Sequence, residues 1–312
     1  MALVTGKKIL TAAHQGGYAV GAFNINNLEI LQGVVAGCVE MQSPVIIAAS
    51  EGAIQYAGFT YIVAMVRAAS TLAPIPMALH LDHGRDHTVI DQCIRGGFTS
   101  VMIDASHLPL EENIKETKKV VEMAHAQGVS VEAELGRLRG VEDLVSVEER
   151  EAFFTDPREA ARFVEETGVD SLAPAIGTSH GAFKFKGEAA LDLDRLKAIK
   201  ERVDIPLVLH GASSVPPSLR DLVVHYGGEL QEAKGVPADQ LQKAIALGIN
   251  KINTDTDLRL ALTAAVRRVL AEDRRIFDPR KILGPARDLI SEIVSEKVQL
   301  FGSAGKAKEV KS

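Results

Sequence analysis

Eight short apolar runs, rich in β-branched residues, recur along the chain, and the segments between them share a second pattern. The runs are YAVGAFNI (18–25), PVIIAAS (44–50), IPMALHLDH (75–83), FTSVMIDAS (98–106), SVEAELG (130–136), SLAPAIG (171–177), PLVLHGA (206–212) and INKINTDT (249–256). Between them, LEILQGVVAGCVEM, EENIKETKKVVEMAHAQ and DPREAARFVEETG place apolar residues at i, i+3, i+4 and i+7, the spacing of one helix face. Asp156-Pro157 opens one such segment and Gly128 follows another, both ordinary helix punctuation. Near-continuous apolar strands alternating with helices predict a parallel sheet covered by helices. Eight such units predict an α/β fold closed as a (β/α)8 TIM barrel rather than an open doubly wound sheet. The missing G-x-G-x-x-G after the first run also argues against a dinucleotide-binding fold. A chain of 312 residues fits one such barrel as a single domain. The barrel is expected over residues 1–305, with a polar C-terminal tail at 306–312 that frays.

The polar residues are not scattered. Run after run begins apolar and ends in Asn, Ser, Asp-His, Asp, Glu, Gly-Thr-Ser-His, His-Gly or Asn-Thr-Asp-Thr. In a barrel these C-terminal ends converge on one face, where active sites sit. Two connections exceed the rhythm, RLRGVEDLVSVEERE (137–151) and TSHGAFKFKGEAA (178–190), and long βα loops of this kind are expected to cover a substrate. A net charge of −6, no tryptophan and 4% aromatic residues give no basis for nucleic-acid binding. No window approaches the roughly 20 apolar residues of a membrane span. The N-terminal stretch lacks an apolar signal core, and Cys38 and Cys93 are too few for a disulfide framework, so a cytoplasmic location is expected.

Three strand ends present a histidine followed by glycine: His83 in LDHG, His180 in TSHG and His210 in LHGAS. A catalytic zinc takes three protein ligands and keeps one position open, and imidazole suits it. Glycine after each histidine lets the backbone turn sharply. His14, His125 and His225 fall on helical segments and read as solvated, and His80 reads as support behind the site. Asp82 beside His83 is either a proton carrier or a helix cap. Asp104 and Glu134 are carboxylates inside apolar strands. Each needs a cation, which is either a second metal ion or a nearby Arg or Lys. HGAS (210–213) and NTDT (253–256) are small-residue turns ending the seventh and eighth runs, where barrels frequently hold phosphate. Lys251, inside the eighth run, is a candidate for Schiff-base chemistry, which would leave the histidines unexplained.

Taken together, LDHG, MIDAS, EAELG, TSHG, LHGAS and INTDT, in this order, resemble the class II, metal-dependent fructose-1,6-bisphosphate aldolases. The likeness runs from GAFNINN to FDPRKILGPAR. It implies a zinc-dependent lyase of glycolysis and gluconeogenesis that cleaves fructose 1,6-bisphosphate to dihydroxyacetone phosphate and D-glyceraldehyde 3-phosphate through a metal-stabilised enediolate. By the same resemblance, His83, His180 and His210 match the zinc ligands, and Asp104 and Glu134 a second divalent position. Asp82 matches the group exchanging a proton with the C4 oxygen, and Glu142 the mobile acid serving C1. Asn24, Gly181, Gly211, Ala212, Ser213, Asn253, Thr254, Asp255 and Thr256 match the substrate site. Ser50 and Arg280 match groups near the second phosphate, the arginine in some members coming from a neighbouring subunit. A monovalent cation, Na+ or K+, near Gly181 and Gly211 and a homodimer or homotetramer are also implied. Three alternatives stay open: a tagatose-1,6-bisphosphate aldolase, a zinc barrel hydrolase and a non-catalytic phosphosugar-binding barrel.

Overall fold

The strands expected from the eight apolar runs close on themselves. The computed structural model describes residues 3–136, 154–178, 191–230 and 234–311, and gives the backbone of short strands at 139–142, 145–147 and 179–180. In chain order the elements are α1 (Gly6–Gly16), β1 (Val20–Asn24), α2 (Leu28–Glu40), β2 (Val45–Ser50), α3 (Glu51–Ala57), α4 (Phe59–Leu72), β3 (Met77–Gly84), α5 (His87–Gly96), β4 (Ser100–Ile103), α6 (Leu110–His125) and β5 (Ser130–Leu135). There follow β6 (Arg139–Glu142), β7 (Val145–Val147), α7 (Pro157–Thr167), β8 (Ser171–Pro174), β9 (Ser179–His180), α8 (Leu193–Lys200), β10 (Leu207–Leu209), α9 (Pro217–His225), α10 (Ala238–Ala246), β11 (Ile249–Thr254), α11 (Thr256–Glu272) and α12 (Pro279–Phe301). The barrel runs β1-β11-β10-β8-β5-β4-β3-β2, and its neighbouring strands pair in parallel. All eight apolar runs thus supply one barrel strand each, as the periodicity requires.

Local chemistry sets the helix boundaries. Asp156 caps α7 by accepting from Arg158 N and Glu159 N, with Pro157 in the first turn, as read from the sequence. The main core lies between the strands and the helix ring, with Phe98, Phe163, Ile90 and Val120 all buried there. The α1 helix closes the N-terminal end. Its first residue lies so near the barrel that a Cβ on Gly6 would fall 2.7 Å from Ser100 Oγ. On the outside, α2 and α12 meet across two glycines. A Cβ on Gly33 would fall 2.7 Å from Arg287 O, and one on Gly37 2.7 Å from Ser291 O.

Two expectations need correcting. The tail does not fray throughout: residues Lys306–Glu309 form a 3-10 turn, Ala307 N donates to Gln42 O, and Val310 packs with Ile9 and Leu10. The two long connections are also not simply loops. The β6 and β7 strands pair antiparallel, and β6 pairs in parallel with β9, so the two connections build one three-stranded sheet outside the barrel. Such pairing joins segments about forty residues apart, and no local periodicity announces it.

Candidate functional site

Asp82 and His83 are neighbours on one strand, where alternation would aim them to opposite faces. The conflict is resolved in the backbone. His83 has φ 48°, a left-handed conformation that non-glycine residues rarely adopt and that clusters at functional sites. Gly84 then passes so close to β4 that a Cβ would lie 2.6 Å from Met102 O. Asp82 is buried and accepts 2.8 Å hydrogen bonds from Asn24 Nδ2 on Oδ2 and from Asn253 Nδ2 on Oδ1. Asn24 and Asn253, expected as substrate contacts, therefore also orient the carboxylate. Ser50 sits opposite Asp82 in the β2–β3 register and caps α3 through Ala53 N.

The rings of His83 and His210 come together with centroids 4.6 Å apart. Ligand atoms of Asp82, His83 and His210 all lie within 4.8 Å of one another, as do those of His83, Asp104 and Glu134. A zinc ion bonds nitrogen at about 2.0–2.1 Å, so its ligands stand roughly 3–4 Å apart. The atoms would have to draw closer around an ion, and the donor set of imidazole and carboxylate suits a divalent one. Residues His83 and His210 therefore fit a metal. The backbone of His180 lies on β9, paired beside Gly140, but its side chain lies outside the described residues, as do Gly181 and the side chain of Glu142.

Both nitrogens of His210 face carboxylates, Nδ1 at 2.8 Å from Glu134 and Nε2 at 2.8 Å from Glu132. Burial works against the charged ring, but the two carboxylates outweigh it and push the imidazole up to about 9. The sequence offered either a second metal or a basic side chain as partner for Asp104. The arginine is present: Arg85 donates to Asp104 Oδ2 through Nε (2.9 Å) and through an NH2 group (2.7 Å). Burial raises the Asp104 carboxyl, yet His83, Arg85 and Ser106 together hold it well below the usual range.

Glu132 was not singled out by sequence, although it stands two residues from Glu134 and so shares its strand face. It organises a buried network of side chains from β3, β5 and β11, which meet through the barrel interior. Lys251 is fully buried and donates to both oxygens of Glu132 at 2.8 and 2.9 Å and to His80 Nε2 at 3.3 Å. Two oxygens of Glu132 and His80 Nε2 crowd around the lysine nitrogen and leave no approach for a ketone, so the Schiff-base candidate falls. His80 Nδ1 then donates to Ser100 Oγ at 2.8 Å. Burial and the Lys251 charge push His80 down to about 3.

That shift has a definite sign. The unfolded chain protonates His80 near the ordinary value of about 6.5, and the folded chain does so only near 3. The unfolded state binds the extra proton between those limits, so this contribution is full above pH 6.5 and is lost as pH falls toward 3. In chelated protein, the urea midpoint of the wild type is expected to fall more between pH 7 and 5 than that of His80→Gln. Parallel slopes would contradict it.

The phosphate candidates also converge. His210 follows directly on β10, and Gly211 comes next with φ 58°, the left-handed turn for which the sequence placed glycine there. Ser213 Oγ accepts from Asp255 N at 3.4 Å, which ties HGAS to NTDT. Thr254 is fully buried, and its hydroxyl meets no protein partner among the described residues. Thr256 opens the 17-residue α11, and the N-terminal end of a helix favours anions. Arg280 is not drawn into the site: it is 88% exposed at the start of α12 and pairs with Asp278.

Comparison with known proteins agrees with this arrangement. The family profile described as Fructose-bisphosphate aldolase class-II matches residues 4–306. A fructose-bisphosphate aldolase of Helicobacter pylori (strain J99) is 54% identical over 305 residues, covering 97% of this chain and 99% of its own. One of Thermus caldophilus is also 54% identical, over 98% of this chain and 100% of its own. Among solved structures, the YdjI aldolase of Escherichia coli K12 superposes with a TM-score of 0.80 at 34% identity, covering 98% of this chain. With a barrel whose strand ends gather these histidines and carboxylates, and relatives matched over nearly their whole length, the chain belongs to the class-II fructose-bisphosphate aldolase family.

Proposed function

We propose that the protein catalyses the reversible aldol cleavage of fructose 1,6-bisphosphate to dihydroxyacetone phosphate and D-glyceraldehyde 3-phosphate, using zinc and serving glycolysis and gluconeogenesis. The observation that carries this reading is the meeting of Asp82, His83 and His210 at the C-terminal mouth of the barrel. His83 and His210 would hold the ion, with His180 as the third ligand by family resemblance. When bound, the ion supplies positive charge against the negative charge that develops as the carbon–carbon bond breaks.

The chain's own residues do the rest. Asp82, fixed by Asn24 and Asn253, takes the proton from the C4 hydroxyl while the C3–C4 bond breaks. Glu142 delivers a proton to C1 of the remaining three-carbon fragment. The turn after His210 and the start of α11 offer backbone N–H groups to its phosphate. A second divalent ion at Asp104 and Glu134 would have to displace Arg85 from Asp104.

The test is elemental analysis of the purified protein with a cleavage assay before and after chelation. Stoichiometric zinc, loss of cleavage on chelation and its return with zinc are expected. Cleavage that survives complete metal removal overturns the reading. Faster turnover of tagatose 1,6-bisphosphate reassigns the substrate, and phosphosugar binding without cleavage favours a binding barrel.

A further inference from the structure

Two strand-end turns at the site share one construction. Each holds a non-glycine residue in the left-handed region, His83 at φ 48° and Val215 at φ 45°. In each, two successive backbone N–H groups end on a single carboxylate. Arg85 N and Asp86 N donate to Glu51 Oε1 at 2.7 and 2.8 Å. Ser214 N and Val215 N donate to Asp257 at 3.0 and 2.9 Å. Each carboxylate lies in the first turn of a helix that follows a strand paired with the clamped one, Glu51 reaching forward along the chain and Asp257 back. Glu51 is the first residue of α3, after β2, which pairs with β3. Asp257 is the second residue of α11, after β11, which pairs with β10.

We propose that Glu51 and Asp257 are positioning residues, each clamping the turn at the end of the neighbouring strand: Glu51 the turn that presents His83, Asp257 the turn 211–215. What the turns hold, metal in one and phosphate in the other, rests on the function proposed above. The physical need is plain at His83. If its backbone relaxed to the extended region, strand alternation would carry the ring to the face opposite Asp82. A carboxylate accepting two successive N–H groups opposes that relaxation. At the second turn the grip is two-sided. Asp257 is fully buried and ion-paired with Lys297, which also donates to Ser214 Oγ at 3.1 Å. From the opposite side Val236 N donates to Ser213 O, and the backbone at Gly235 is so close that a Cβ would lie 2.3 Å from that oxygen.

Since the clamps are separate, their effects should separate. In Glu51→Ala, zinc affinity measured by chelator competition is expected to fall about tenfold, the scale of a lost outer partner at a metal site. The affinity of the zinc-loaded protein for inorganic phosphate, read by calorimetry, should stay within about twofold. Glu51→Gln keeps the accepting oxygen and should restore zinc affinity. In Asp257→Asn the amide presents a donor to a donor, so phosphate binding and KM for fructose 1,6-bisphosphate should weaken about tenfold, with zinc affinity unchanged. Adding Val215→Gly, which adopts positive φ freely, should recover part of that loss. If the single Asp257 variant does not fold, D257N/K297M leaves no unpaired buried charge and carries the same measurement.

Equal zinc loss in Glu51→Ala and Glu51→Gln, or either clamp variant moving both affinities alike, overturns the proposal. Ser213→Ala separates it from the phosphate reading. Weaker phosphate binding in Ser213→Ala but not in Asp257→Asn removes the clamp alone. No change in either removes the phosphate assignment and the second clamp with it.

Discussion

Replacing His83 by alanine is expected to leave purified protein without tightly held zinc and to lower kcat/KM for fructose 1,6-bisphosphate about 10^3- to 10^4-fold. The magnitude follows from the several kcal/mol of charge stabilisation that a Lewis-acid metal supplies, at about 1.4 kcal/mol per tenfold. The fold should survive. His83 sits at the open end of β3, partly exposed, while Leu79 and Leu81 below it carry the core packing. Alanine keeps the β-carbon that the left-handed backbone already accommodates, and the loss of the ring strips one partner from Asp104, which keeps Arg85 and Ser106. Elemental analysis, circular dichroism and steady-state kinetics on the same preparation check the three statements. Full activity without bound metal would refute the assignment.

Asp82→Ala should behave differently: zinc retained, kcat reduced about 10^2- to 10^4-fold, the range for a lost general base or acid. Its oxygens already accept from two amides, which hold the carboxylate in place whether or not an ion is bound. The same oxygens lie within 4.8 Å of ligand atoms on His83 and His210, so the experiment can decide against this role. Loss of zinc in Asp82→Ala would make Asp82 a ligand and return the proton-transfer step to another group.

The barrel was legible because strand and helix periods alternate eight times and because polar residues gather at one end of every strand. Asp82, His83 and His210 were legible for the same reason: each stands where an apolar run stops. What sequence could not show was partnership. Asp104 reads as a buried charge in need of a cation, but nothing in MIDAS says that Arg85, three residues past the end of LHLD, provides it. Lys251 reads as a buried amine with reactive potential until Glu132 and His80 are seen to surround it as hydrogen-bond acceptors. Glu51 and Asp257 look like ordinary acids in a first helical turn, where the dipole favours them anyway. Their hydrogen bonds reach across to another strand's turn, a relation fixed by barrel closure alone. Arg280 is exposed in the single chain, where it pairs with Asp278, and the resemblance allows such an arginine to serve a neighbouring subunit.

The seam between α2 and α12 reaches further than its location suggests. Gly33 and Gly37 let the two cylinders touch backbone to side chain, leaving no slack for either to slide. Lys297 rides on α12 three residues beyond Val294, the residue pressed against Gly37, and its nitrogen ends on Asp257. The register of two outer helices thus sets the height at which a cation enters the floor beneath the turn after β10. An added methyl group on that remote surface would be felt at the mouth as a misplaced charge.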